Sequence, residues 1–208
     1  MKNYISINGR QIELTDEQVK RFESDLNLPK LTLADIPVGK TFRIGGHEFI
    51  VLEHMGDTTA VICSELLPER SEFSEFGENN NYDGSKPDLI CRMLGDEISR
   101  IIGAENIIEH TVDLTSDDGL KDYGTVSRKC SLISADQYRR YVDLLDHYKP
   151  DSWWWLATPF STKRHGNDEW ILCVSPSGCI RGTNYCGNVI GVRPFCIFKS
   201  SIFESSEG

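Results

Sequence analysis

Apolar and polar positions alternate with a period of two in Tyr4-Ile5-Ser6-Ile7, break at Asn8-Gly9 and resume over Gln11 to Leu14. That pattern predicts a β-hairpin closed by a tight turn. Thr15-Asp16-Glu17-Gln18 then has the spacing of a capping box, and Val19, Phe22 and Leu26 recur at helical spacing up to Pro29. Residues 1–30 are therefore expected to form a small hairpin-plus-helix attachment, with Leu28 to Pro37 as a linker. From Thr41 strand patterns return: Thr41 to Ile44, His47 to Glu53 and Thr59 to Leu66, divided by Gly45-Gly46 and Met55-Gly56-Asp57, predict an antiparallel meander.

Glu65 to Asp83 is polar and predicts a surface loop. Ser85 to Ile107 has helical spacing, with Leu89, Met93, Ile98 and Ile101-Ile102 on the side expected to face the sheet. Val112 to Lys129, marked by Asp117-Asp118-Gly119, predicts a loop, and Ser131 to Ile133 a short strand. Ser134-Ala135-Asp136-Gln137 opens a second helix, with Tyr138, Tyr141, Leu144-Leu145 and Tyr148 as its buried stripe and Pro150 as its end. Four strands follow, at Trp153 to Ala157, Glu169 to Ser175, Cys179 to Arg181 and Gly191 to Phe198, the middle two joined by a Pro176-Ser177-Gly178 turn.

Composition changes this picture little. A chain of 208 residues with 39% hydrophobic residues can bury a real core. No apolar run is long enough to span a bilayer and Met1 to Arg10 has no secretory h-region, so the expected compartment is the cytoplasm. Seven cysteines without a C-x-x-C pair read as reduced, buried thiols. The formal charge of -10 argues against direct binding of nucleic acid and is compatible with a basic protein partner.

The chain has no P-loop, no Rossmann fingerprint and no Gly-x-Ser-x-Gly elbow, and its five histidines lack the i, i+4 spacing of helical zinc sites. No catalytic residue, metal or cofactor is therefore assigned. Trp153-Trp154-Trp155 is the most unusual local feature, with core packing expected for two indoles and a binding platform for a third near Tyr185. Two polar stretches between strands, Lys163 to Asp168 and Arg181 to Asn188, are where contact residues would concentrate.

Trp154-Trp155-Leu156-Ala157-Thr158-Pro159, Val174-Ser175-Pro176-Ser177-Gly178 and Gly191-Val192-Arg193-Pro194 together resemble the C-terminal signature of an uncharacterised domain family common in Firmicutes and their phages. That signature reads Trp-Trp-Leu-Arg-Ser-Pro, a Val-x-x-x-Gly strand and turn, and a closing Gly-Val-Arg-Pro-Ala. Phe49 to Leu52 and Cys130 to Ser134 are similar to its upstream strands, although Ala157 replaces an Arg and Phe49 a Trp. The closing strand also resembles C-type-lectin-like folds, including the formylglycine-generating-enzyme branch. Cys179 and Cys186 do not stand in that branch's copper-binding motif, so its activity is not carried over.

The resemblance implies an α+β, C-type-lectin-like twisted antiparallel sheet over residues 38–199, with two flanking helices and long loops, and a tail at 200–208. Trp154, Trp155, Pro159, Gly178, Gly191, Arg193 and Pro194 would be its frame, with Arg193 anchored on a buried carboxylate or carbonyl. Trp153, Arg164, His165, Asn167, Asp168, Arg181, Asn184, Tyr185 and Asn188 would form the partner-binding surface. The expected function is a non-enzymatic phage or prophage protein binding a protein partner inside the host bacterium, for instance a counter-defence inhibitor of a nucleic-acid-handling system. A displayed ligand-binding module of the retroelement-diversified type and an enzyme with a Cys, His and acid site remain as alternatives.

Overall fold

The structure is a computed structural model that describes residues 3–7, 10–25, 31–77 and 79–202. The chain divides into two compact units, residues 1–31 with 206–208, and residues 32–205. In the first, β1 (Asn3–Ile7) pairs antiparallel with β2 (Arg10–Leu14), Ile5 opposite Ile12. Helix α1 (Asp16–Asp25) follows, and the capping box closes as its spacing predicts: Gln18 Oε1 accepts from Thr15 N–H at 2.9 Å and Thr15 Oγ1 from Gln18 N–H at 3.2 Å. The Asn8-Gly9 turn, Leu26 and the side chain of Phe22 lie outside the described residues.

The second unit begins with β3 (Thr41–Ile44), β4 (His47–Met55) and β5 (Thr58–Cys63), the expected meander. The short β6 (Arg70–Ser71) precedes α2 (Lys86–Ile102), and β7 (Ile107–Ile108), β8 (His110–Asp113), β9 (Thr125–Arg128) and β10 (Cys130–Ser131) lead to α3 (Ala135–Leu145). Then come β11 (Trp154–Pro159), β12 (Trp170–Val174), β13 (Ile180–Tyr185), β14 (Ile190–Gly191) and β15 (Phe195–Lys199). One sheet has the order β10-β15-β5-β4-β3 with β7 also on β15, and a second the order β13-β12-β11-β14-β6; β8 and β9 pair alone. All pairings are antiparallel except β11 with β14. The fold class is thus mixed α+β, with mostly antiparallel sheets and few helices.

The central strands β4, β5, β11 and β12 are buried on both faces over most of their length, which is why they read as continuous apolar runs. Phe49 and Val51 of β4 join Trp155, Ala157, Ile171 and Cys173 in one cluster with Cys91, Leu94 and Ile98 of α2. Ile50 and Leu52 join Trp154, Leu156, Leu172 and Val174 in another with Tyr138 and Leu145 of α3. Arg193 is 1% exposed; its guanidinium donates at 2.9 Å each to the carbonyls of Cys63, Ser64 and Tyr148 and lies 5.3 Å from the Trp154 ring centroid. The fork geometry of arginine suits such a fan of acceptors. Six cysteines are buried free thiols, and Cys179 is exposed.

Four expectations give way. Residues 32–37 are no linker: Leu33 is buried, its N–H donates to Ile202 O at 2.9 Å, and Ala34 N–H donates to Ser200 O at 3.0 Å. The same bonds dock residues 200–202, the start of the expected tail. The stretch 65–83 is not a surface loop, because Phe73, Asn80 and Tyr82 are fully buried and β6 extends the second sheet. Helix α2 ends at Ile102, before Gly103 at φ +90°; of its expected stripe Ile98 is buried, but Leu89, Met93 and Ile101 are exposed and Cys91, Leu94 and Gly95 are buried in their place. Within 112–129 lies the β8–β9 hairpin, which Arg128 pins to α2 by paired bonds of 2.7 and 2.8 Å to the fully buried Asp88 carboxylate.

Candidate functional site

Strands β12 and β13 bring Trp170 directly opposite Tyr185, where the rings meet edge to face at 6.2 Å. Around this end of the second sheet stand three connections: 114–124 between β8 and β9, 160–169 between β11 and β12, and 186–189 after β13. What ties the first two together is Asn80. Its Nδ2 donates to the carbonyls of Ser161 (2.9 Å), Asn167 (3.2 Å) and Trp170 (2.6 Å), while its Oδ1 accepts from Tyr123 Oη at 2.7 Å. A buried amide with both ends engaged holds its partners in one geometry.

Carboxylates make a second layer of stitches. Asp118 Oδ1 accepts from Ser116 Oγ at 2.5 Å, and its Oδ2 accepts from Ser161 Oγ at 2.6 Å and faces His165 Nδ1 at 2.9 Å. Asp122 accepts from Thr162 Oγ1 at 2.6 Å and pairs with Arg164. The hydroxyls of Ser116 and Ser161, with His165, hold the Asp118 carboxyl well below the usual carboxylate range. Burial first, then the nearby Asp168 charge, pushes the Tyr123 phenol up to about 12.

The sequence-predicted surface is split by this geometry. Arg164 and His165 stand exposed on the stitched loop, and Asn167 is half-buried, its carbonyl held by Asn80. Asp168 is half-buried nearby. Tyr185, 38% exposed, lies against Gly77 and Gly187, where an added Cβ would come within 2.3 and 2.6 Å of its ring. Asn188 is exposed, and its N–H donates to Tyr185 O at 2.9 Å. Asn184 pairs with Ile171 through the backbone; its side chain lies outside the described residues. Trp153 and Arg181 do not join this group. Arg181 pairs with Cys173 and Trp153 precedes the Trp154–Val174 pair, which places both at the opposite end of β12.

The tryptophan beside Tyr185 is therefore Trp170 and none of the Trp153-Trp154-Trp155 run. Trp153 is 36% exposed, whereas Trp154 and Trp155 are buried; Trp155 Nε1 donates to Ser71 O at 3.0 Å. The other frame residues are backbone devices. Pro159 O accepts from Asp117 N–H at 2.9 Å, Pro194 O accepts from Cys63 N–H at 2.9 Å, and Gly178 turns at φ +83° with its carbonyl on Tyr138 Oη at 2.7 Å. Gly191 lets β14 reach β11: its N–H donates to Trp153 O at 2.9 Å, and a Cβ there would strike Leu66 at 2.4 Å.

Chemically, Asp118 orients the His165 imidazole as an acid–base pair requires. Ser161 spends its hydroxyl on Asp118 and not on the imidazole, so no nucleophile–base pair forms between them. The small cavity beside the stitched loops, about 100 Å³ and lined by Asp113, Asp117, Asp136 and Arg139 among others, has room only for a few waters. Among the described residues, no group of three or more His, Cys, Asp and Glu is placed to hold a metal ion, and no helix is long and apolar enough to cross a membrane. The chain matches no protein-family model, no curated protein and no solved structure. Fold and site together define an α+β body carrying a braced loop surface.

Proposed function

We propose that the chain is a non-enzymatic binding protein of phage or prophage origin, with a C-type-lectin-like body that presents its stitched loops to a protein partner inside the bacterium. The observation that carries this reading is the Asn80 clamp, which fixes the loops before any partner arrives. Loops already ordered lose little entropy on binding, so more of the contact energy becomes affinity. The commitment of Ser161 to Asp118 favours recognition over hydrolysis. The lectin-like assignment is supported by the Trp-Trp-Leu, Val-x-x-x-Gly and Gly-Val-Arg-Pro elements and by antiparallel sheets flanked by α2 and α3.

A net charge of -10 favours a basic partner and disfavours direct contact with phosphates. A counter-defence inhibitor of a basic nucleic-acid-handling protein is one concrete form. The test is affinity capture from host lysate at low and moderate salt, with wild type beside an Arg164→Ala/His165→Ala/Asn188→Ala variant. A stoichiometric partner retained by wild type and lost by the variant is expected. No such partner, or equal retention by both proteins, would overturn the reading.

A further inference from the structure

Of the apolar row that the sequence assigns to the core of α2, Ile98 is buried and Ile102 packs on the core, but three members lie outside it. Leu89, Met93 and Ile101 are 47%, 71% and 45% exposed, while Cys91, Leu94 and Ile98 carry the helix onto the sheet. Leu89, Met93, Glu97 and Ile101 recur every fourth residue and so form one line along the helix surface. Beside this line, α2 and residues 67–69 enclose a groove of about 430 Å³. Leu67, Pro68, Ile90, Met93 and Leu94 supply its apolar lining. That volume is in the ~300–1,000 Å³ range of sites that take a compact ligand.

The polar lining is acidic. Glu69, Asp96 and Glu97 face Arg100 and His47. Glu97 is partnered by His47 at 3.4 Å, and Arg100 Nε donates to the Asp96 carbonyl oxygen at 3.3 Å. Glu69 and Asp96 have no ion-pair partner among the described residues. An exposed apolar line with unpaired carboxylates along it complements a segment that alternates apolar anchors with positive charge. A second copy of this chain is a poor occupant, since each copy carries -10.

We propose that the α2 groove docks a short amphipathic helix of a partner protein, with Leu- or Met-like anchors on Met93 and Ile90 and flanking Lys or Arg against Glu69, Asp96 and Glu97. The groove shares no residue with the stitched loops, so this second surface stands or falls independently of them.

The chain contains three methionines, Met1, Met55 and Met93, which makes methyl-labelled methionine a direct reporter on the full-length protein. The probe is a synthetic amphipathic helix of Leu and Lys, compared with its Leu/Glu counterpart and with a Ser/Lys peptide of equal charge. A saturable shift of the Met93 methyl with Met55 unmoved is expected for the Leu/Lys helix alone. Fluorescence anisotropy of that peptide should show affinity reduced about tenfold by Met93→Ser, and similarly by Glu69→Gln/Glu97→Gln. Met93 is largely exposed, so its replacement leaves the fold intact. Absence of a saturable Met93 shift, equal binding of the Leu/Glu or Ser/Lys peptide, or an affinity that neither variant changes would each overturn the proposal.

Discussion

Asn80 is a single side chain on which three carbonyls and a phenol converge. Removing it as Asn80→Ala strands those buried acceptors and should cost about 3 kcal/mol, read as a lower urea midpoint. Asn80→Asp is the sharper variant, because a carboxylate cannot donate and would face three carbonyl dipoles. It should be at least as destabilised at neutral pH, with faster amide exchange over 161–170 in both variants; an Asn80→Asp protein as stable as wild type would contradict the clamp.

His110 makes a different residue-scale prediction. Its Nε2 meets Ser131 Oγ at 2.8 Å and its ring stands edge-on to Phe195 at 5.1 Å. Burial pushes its pKa from 6.5 down to about 4. Between those values the unfolded chain binds the proton and the folded chain does not, so stability falls as pH drops from 6.5 towards 4. Urea titrations at pH 7 and 4.5 should differ by roughly 2 kcal/mol from this group. His110→Gln, which keeps a partner for Ser131, should flatten that limb.

At the scale of elements, what the sequence made legible was local. Ser134 and Gln137 announce α3, and the structure closes that capping box with bonds of 2.8 and 3.1 Å. The β4, β5, β11 and β12 strands are likewise written in their own residues, whereas the single strand expected over Gly191 to Phe198 divides between β14 and β15, which belong to different sheets. What escaped depends on partners far away. Asn80 bonds to residues 81 to 90 positions on, and Arg128 reaches Asp88 across 40. Periodicity on α2 finds the buried Ile98 but also counts Leu89, Met93 and Ile101, while the face that packs includes Asp88 and Gly95, where an added Cβ would lie 3.1 Å from Cys130. Polar and small residues on a buried face carry no signal until their partner is known. The exposed His165 and Arg164 were legible as loop polarity; the acids that orient them were not.

The Arg128–Asp88 pair tests the element-scale account. Arg128→Ala should destabilise by about 3 kcal/mol, because it leaves the Asp88 carboxylate buried without its counter-charge, and Asp88→Ala by less, because Arg128 keeps its pair with Asp83 at 2.6 Å. The double variant should lose clearly less than the sum, since no lone charge remains. Additive losses in urea denaturation would mean that the pair does not couple β9 to α2.

For the whole molecule, the boundary at residue 32 matters more than the hairpin before it. A chain starting at Thr32 keeps Leu33 in the core, its bonds to Ile202 and Ser200, and the Ile36 carbonyl that meets His54 Nε2 at 2.9 Å. One starting at Val38 loses all of these. Its thermal and urea transitions should show a deficit of about 3 kcal/mol against the Thr32 start. Equal stability of the two truncations would show that residues 32–37 are dispensable.

The lone exposed thiol gives the molecule a handle. Cys179 sits at the turn between β12 and β13, while Trp170 and Tyr185 mark the other ends of the same two strands. A thiol-reactive biotin or dye added to the native protein should therefore attach at one position and leave Arg164, His165 and Asn188 facing away from the support. The protein can be immobilised through Cys179 without mutation, in an orientation that keeps its loops open to whatever flows past.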